Sequence, residues 1–489
     1  MRHQNFLLFA ISALALSVGA IAQSGEDLSS EARKGLKEAV SYYRENVSTE
    51  GGYLWQYSED LEKREGEGKA SKTMAWVQPP GTPSVGGAFL DAYEATGEPY
   101  YLEAAKETAM ALVRGQLLSG GWDYRIEFDP EKRKSYAYRV DNNREASRNT
   151  STLDDNTTQS ALRFLMRVDQ ALDLKNEAIH DAVVYSLNHL LEAQYPNGAW
   201  PQRFDSPPDP QKHPVMKASY PETWSRTHPD QDYRSYYTFN DNTISDMVRV
   251  MLDAHEIYGD PKYLESAEKA GDFILLAQMP EPQPAWAQQY DVEMHPAWAR
   301  KFEPPAVTGG ESRGAIQTLL MVYEATGKEK YLEPIPKALD YFEISRLPNG
   351  ELARFYELKT NRPLFFTKNY QLTYDDSDMP THYSFKQGYW VDSVRAEYER
   401  VKSHKPEDSK EAKEDPTQAR VSDLEEKARG VLDRLDDQGR WVEHSRLRYH
   451  GDDDPTRQVL SSRTFVANVG ILCEYLETFK STQDGNKNP

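Results

Sequence analysis

Cysteine is almost absent: Cys473 is the single one in 489 residues. A disulfide framework within the chain and a cysteine-based zinc site are both excluded. Basic charge is also short. Lys and Arg total 58 against 78 Asp and Glu, a formal charge of −20. A field of that sign repels phosphate and removes nucleic-acid binding as a default reading. His213, His228, His255 and His295 lack the H-E-x-x-H spacing, which disfavours zinc hydrolysis. Long apolar runs are missing beyond the first few dozen residues. What is plentiful is aromatic surface, 30 Tyr and 9 Trp, enough to fill a core and to exclude a disordered chain.

The one apolar run, Phe6 to Ala20, follows Arg2 and His3 and ends in Ala20-Ile21-Ala22 before polar Gln23. It reads as a secretory leader, residues 1–22, cleaved after Ala22. The small-residue site favours cleavage over retention as a membrane anchor. The mature chain is therefore expected to be exported, either secreted or periplasmic.

Three segments echo one another: Ala92-Tyr93-Glu94-Ala95-Thr96-Gly97, Ala254-His255-Glu256-Ile257-Tyr258-Gly259 and Val322-Tyr323-Glu324-Ala325-Thr326-Gly327. Each is followed by Tyr-Leu-Glu, at Tyr101, Tyr263 and Tyr331. Each reads as a helix stopped by Gly, a short turn and a second helix. Ala171-Leu172-Asp173-Leu174 is a weaker copy without the Gly. A second echo, a turn with an aromatic, recurs at Gly52-Tyr53, Gly121-Trp122, Ala199-Trp200, Ala285-Trp286 and Arg440-Trp441, with Leu in the aromatic's place at Gly350-Glu351-Leu352. Self-similarity of this kind marks a repeat architecture. The long repeats and large loops predict an all-α fold, an (α/α) toroid of helix hairpins whose loops form a cleft on one face. Residues 23–400 are expected to form the toroid. Residues 401–489, beginning with a charged stretch, are expected to complete it. Strand signals are few, with Ala353 to Leu358 one candidate.

The starts of the first helix in each hairpin carry the chemistry. One reads Thr152-Leu153-Asp154-Asp155-Asn156, another Thr238-Phe239-Asn240-Asp241-Asn242, a third Thr308-Gly309-Gly310-Glu311-Ser312-Arg313. Each precedes a nearly all-apolar helix, the pattern of a buried one. Asp and Asn also serve as N-caps, and for any single start capping suffices. Two Asp-Asn clusters at equivalent places in neighbouring repeats bring carboxylates and amide oxygens together, a donor set suited to Ca²⁺. Asp375, Asp376, Asp378 and the Asp452-Asp453-Asp454 run are weaker acidic candidates and read as solvated loops. Trp200, in the turn Tyr195-Pro196-Asn197-Gly198-Ala199-Trp200-Pro201-Gln202, has two readings: a rim aromatic that stacks on sugar, or a core Trp closing the repeat.

Four ordered motifs carry a resemblance: this turn, then Thr238-Phe239-Asn240-Asp241, then Ala299-Arg300 before Phe302-Glu303-Pro304-Pro305 and Thr308-Gly309-Gly310-Glu311-Ser312, then Ala353-Arg354-Phe355-Tyr356-Glu357 with Thr360-Asn361-Arg362-Pro363. Over roughly residues 50–370 the chain resembles the family 10 polysaccharide lyases, pectic acid lyases with an (α/α) toroid fold. The resemblance implies calcium-assisted β-elimination of polygalacturonate. It puts the family's two site aspartates on Asp154 and Asp241, with Asp155 able to exchange with Asp154. It puts the catalytic base on Arg300, and a carboxylate-binding arginine on Arg354 or Arg362. The expected substrate-binding set is Arg354, Arg362, Trp200, Asp154, Asn240 and Arg313, and the expected metal set is Asp154, Asp155 and Asp241. The expected cofactor is Ca²⁺, and the expected partner is an acidic polysaccharide met by a monomer.

Two departures concern the cleft: Leu153-Asp154-Asp155-Asn156 replaces the family's Phe-Asp-Asn-Gly, and a long Pro-rich insert separates Gln202 from Tyr236. Two other classes stay open: a glycoside hydrolase using paired carboxylates, and an exported glycan-binding protein without activity. The presence of Arg300 ranks the second of these last.

Overall fold

The computed structural model describes residues 27–388, 390–403 and 418–485. The leader read at residues 1–22 lies outside them, as does the middle of the charged stretch after Lys402. Among the described residues twelve α-helices alternate between an outer and an inner layer. The outer helices are α1 (27–42), α3 (Pro99–Gly115), α5 (Glu177–Ala193), α7 (Pro261–Ala277), α9 (Ile335–Ile344) and α11 (Gln418–Leu432). The inner helices are α2 (Thr82–Thr96), α4 (Thr157–Ala171), α6 (Thr243–Tyr258), α8 (Gly309–Thr326), α10 (Val391–Ser403) and α12 (Ser462–Gly485). Inner helices pack in the order α12, α2, α4, α6, α8, α10. The fold is the expected (α/α) toroid.

The hairpins end as their glycines require. Gly97, Gly259 and Gly327 follow inner helices with φ of 73°, 70° and 66°, and each returns its N–H to a carbonyl of the last turn. The weaker copy does the same without glycine: Asp173 and Leu174 take φ of 54° and 59°. Side-chain sterics disfavour that conformation, so packing of the repeat, rather than local propensity, ends α4 here.

Turns of the second echo follow the outer helices, with an aromatic in all but the one after α9. Trp122, Trp200, Trp286 and Trp441 donate their indole N–H to Leu112, Leu190, Ile274 and Val431 carbonyls, at 2.8–3.0 Å. Those carbonyls sit in the last turns of α3, α5, α7 and α11, where no intrahelical partner remains. Trp200 is fully buried in this role, which corrects its reading as a rim residue that stacks on sugar. A second device was not read from the sequence. Gln116, Gln194 and Gln278, directly after α3, α5 and α7, each bridge two backbone carbonyls, one in their own turn and one in or beside the next outer helix.

Strands are more numerous than the sequence led us to expect, but among the described residues none exceeds four residues in length. Pairs of that length are fixed by the turns around them and carry no alternation to detect. The candidate strand at 353–358 is found at Phe355–Glu357. Near the seam of the ring, Gln56–Ser58 pairs antiparallel with Gln458–Ser461. Tyr43 stacks on Phe465 of α12 at 3.7 Å, and Phe89 of α2 meets the same ring edge-on. The first and last repeats therefore share one core.

Candidate active site

Two turns set the site. Before α4, Asp154–Asn156 form a single tight turn, and before α6, Asn240–Asn242 repeat it. Asp155 and Asp241 have nearly the same backbone angles (φ 50° and 49°, ψ 35° in both), and Asn156 and Asn242 follow, also left-handed. Consecutive residues with positive φ are unfavourable for any side chain, least so for Asp and Asn, and such strain gathers at functional sites. Their match fixes the internal register: Asp155, not Asp154, is the counterpart of Asp241, and Asp154 is the counterpart of Asn240.

The two turns pack together. Carboxylate oxygens of Asp154, Asp155 and Asp241 all lie within 4.8 Å of one another. All three residues of the expected metal set are thus gathered, yet they are not equivalent. Asp154 is tied down: Tyr124 donates its hydroxyl, Gln202 donates at 2.9 Å, and Arg203 stands 3.9 Å away. Asp155 receives one bond, from Gln78 at 2.8 Å. Asp241 receives one from its neighbour Asn240. Burial, with Asp154 and Glu67 nearby, pushes the Asp155 carboxyl up to about 6. Burial, with Asp154 and Asp155 nearby, pushes Asp241 up to about 8. Crowded carboxylates of this kind hold protons until a cation replaces them. Asn156 and Asn240 add buried side-chain oxygens without a hydrogen-bond partner among the described residues. Oxygen donors alone, several of them anionic and underused, fit a hard divalent cation.

Opposite stand two guanidinium groups. The Arg300 charge acts on both Asp155 and Asp241. Its Nε donates to Glu303 Oε2 at 2.8 Å, its Nη2 to Oε1, and its own backbone N–H to Oε2 at 3.0 Å. Burial would lower the Arg300 pKa, but the Glu303 bonds raise it above the ordinary value. Burial would raise the Glu303 carboxyl, but Arg300 holds it below its usual range. Arg354 is mostly buried and donates to Glu311 at 2.9 Å, while its Nε has no partner among the described residues. Phe239, Asp241, Gly310, Glu311 and Arg354 line part of one pocket of about 200 Å³ between the starts of α6 and α8. A Cβ at Gly310 would come within 2.8 Å of the Gln387 amide, which would have to shift to admit it.

Between the two arginines lies Tyr383, which no motif announced. Its ring meets the Arg354 guanidinium at 4.3 Å and that of Arg300 at 5.7 Å, and its hydroxyl donates to Glu303 at 2.9 Å. The sequence offered no signal for it, because it arrives from a loop some 80 residues past Arg300.

The remaining expected residues are dispersed. Arg362 is exposed and stacks on Tyr374 at 3.4 Å, beside the Arg226–Glu357 ion pair. The structure therefore brings Arg354, and not Arg362, to Asp241. Arg313, one turn into α8, is exposed and makes no hydrogen bond or ion pair among the described residues. Asp454, Asp376 and Asp378 pair with Lys63, Lys386 and Lys368 away from this cluster. Among the described residues no helix is long and apolar enough to cross a membrane.

Comparison with known proteins bears out the resemblance. Residues 116–322 match the family described as pectic acid lyase, somewhat under half of the chain. That segment holds both Asp turns, Arg300 and the start of α8. No curated protein matches the chain. Among solved structures, a family 10 polysaccharide lyase from Cellvibrio cellulosa is 20% identical over 65% of this chain and 98% of its own, with a TM-score of 0.44. An aspartate-to-alanine variant of that lyase is recorded in complex with trigalacturonic acid. A cellobiose 2-epimerase from Bacillus thermoamylovorans is 12% identical over 92% of this chain and 99% of its own, with a TM-score of 0.46.

Proposed function

We propose that the protein is an exported pectate lyase that cleaves polygalacturonate by calcium-assisted β-elimination. The observation that carries this reading is an oxygen-only anionic cluster facing two guanidinium groups across one cleft. A uronate sugar presents a carboxylate beside the C5 proton. Its recognition calls for positive charge from more than one direction, in a chain that is otherwise acidic.

Asp155 and Asp241, with Asp154, would hold Ca²⁺, and the bound ion would offset the charge that builds on the uronate as C5 loses its proton. Arg354 is fixed by Glu311 and by Tyr383, so its charge meets the substrate carboxylate without reorganising. Arg300 is the base. A guanidinium takes no proton until it has lost one. Glu303 orients the guanidinium and holds it protonated, so the neutral form needs hydroxide to take that proton; calcium bound beside Arg300 and alkaline pH would favour it. Neutral Arg300 then takes the C5 proton, the electron pair forms the C4–C5 double bond, the C4–O bond breaks, and water protonates the departing oxygen, giving back the hydroxide that Arg300 consumed.

The test is polygalacturonate with and without a chelator, followed in the near ultraviolet. Unsaturated product that disappears with chelator and returns with Ca²⁺ supports the reading. New reducing ends without the absorbance would make the protein a hydrolase, and full activity after exhaustive chelation would remove the metal.

A further inference from the structure

One side of the cleft lies outside the matched segment and is built by the first and last repeats. Trp55, Gln56, Arg448, Tyr449 and Arg463 line a pocket of about 170 Å³ there, with Glu65 at its floor. Hydrogen bonds connect it to the acidic cluster. The Trp55 indole donates to the Gln78 carbonyl at 2.9 Å, and the Gln78 side chain donates to Asp155 at 2.8 Å. Gln78 cannot turn away, because its Oε1 accepts the Trp76 indole at 3.0 Å. Glu67 spans the same interval, its charge acting on both Asp155 and Tyr449.

The charges in this pocket are unusual for the molecule. Most arginines of the chain sit in ion pairs. Arg448 and Arg463 are exposed, and neither side chain has a carboxylate partner among the described residues. The carboxylate at the floor is already satisfied: Glu65 is buried and accepts the backbone N–H groups of Arg448 and Tyr449 at 3.0 and 2.9 Å. It fixes the loop that carries Arg448 and leaves both guanidinium groups open to a ligand.

We infer that this pocket is a second subsite for the polymer, binding a carboxylate-bearing sugar residue away from the scissile bond, with Arg448 and Arg463 on the carboxylate and the half-buried Trp55 face against the ring. The inference rests on the proposed lyase reading and extends it to chain-length preference. A polymer long enough to reach from the acidic cluster to this pocket engages both places at once, and the second contact acts at high effective concentration.

The experiment compares trigalacturonate and polygalacturonate as substrates for the full chain and for the double variant Arg448→Gln/Arg463→Gln. Both side chains are exposed and the Glu65 bonds are to backbone, so the substitutions leave the fold in place, which circular dichroism checks. The expected result is a polymer KM raised about fivefold or more with kcat unchanged, and a trimer KM changed by less than about twofold. Arg448→Lys/Arg463→Lys should recover part of the loss. An unchanged polymer KM, or equal rises for polymer and trimer, overturns the subsite. A wild-type protein that neither binds nor cleaves either probe overturns the lyase reading and the subsite with it, an outcome distinct from the other two.

Discussion

The tryptophan turns and the aspartate turns are both repeated features of one ring, and they treat polar groups in opposite ways. At the tryptophan turns every donor has found an acceptor: four indoles answer four helix-end carbonyls, and a glutamine answers two more in three of the repeats. At the aspartate turns the repeat is used to leave groups unanswered. Three carboxylates crowd together, amide oxygens stay unpaired, and the backbone is held left-handed. The contrast separates the copies of a repeat that maintain the ring from the copies proposed to act.

The contrast is broken most directly by exchanging the consequences. Asp155→Asn and Asp241→Asn should each lower kcat/KM by about 10³ while helical circular dichroism is retained. Trp200→Ala should do the reverse, costing about 3–5 kcal/mol of stability by opening a cavity and freeing the Leu190 carbonyl. Denaturant melts and steady-state rates on the same preparations decide this, and an Asp241→Asn protein that unfolds while Trp200→Ala remains active would invert the assignment.

Next in size is Arg300→Lys, which keeps a charge but loses the fork to Glu303. If Arg300 takes the proton, kcat falls about 10²–10³-fold while oligogalacturonate still binds in Ca²⁺. A change confined to KM would reduce Arg300 to a binding group. A smaller loss, about tenfold, is expected for Asp154→Asn, because Asp154 is already engaged by Tyr124, Gln202 and Arg203 and positions the others. A larger loss than for Asp155→Asn would reverse the register drawn from the matching backbone angles.

Acidity gives a milder readout. Folded-state values of about 6 for Asp155 and about 8 for Asp241 lie above the ordinary carboxyl value near 4. The stability these groups contribute is therefore full below about pH 4 and is lost as pH rises through 6 and then 8. In chelator, Tm should fall between pH 5 and pH 8.5 more for the wild type than for Asp241→Asn. Ca²⁺ should restore more at pH 8.5 than at pH 5. Equal calcium shifts at the two pH values would mean that the ion binds elsewhere.

The smallest effect concerns the turn without glycine. Leu174→Asn should raise Tm by about 1 °C by relieving the left-handed strain, with activity unchanged.

The sequence made the ring legible because glycine, tryptophan and the apolar inner helices recur, and recurrence survives when single signals are weak. It also singled out Asp154, Asp155, Asp241, Arg300 and Arg354, which the fold gathers at one cleft. It left open what depends on orientation. Trp200 could face in or out until its indole was seen on the Leu190 carbonyl. Asp154 and Asp155 could exchange until both turns showed the same backbone. Arg354 and Arg362 lie eight residues apart, each just before one of two paired strands, and only the folded structure shows that the first lines a pocket with Asp241 and the second stacks on Tyr374. Tyr383 was silent because it belongs to no motif, and Glu303, though inside one, carried no assigned role; both stand out through what they touch.

The pairing of Gln56–Ser58 with Gln458–Ser461 has a consequence for how the molecule comes into being. The two strands are separated by nearly the whole length of the chain. The hairpins from α2 to α10 can form as they emerge, but the seam waits for the last residues to be made. Closure is thus a late, non-local event with a large loop-closure entropy, the kind that slows folding. Until then, the flank of α2 that receives α12 is bare apolar surface. A chain cut short before Val459 keeps Asp154, Asp155, Asp241, Arg300 and Arg354 and still cannot cover that flank, so an incomplete molecule is left with an exposed apolar face.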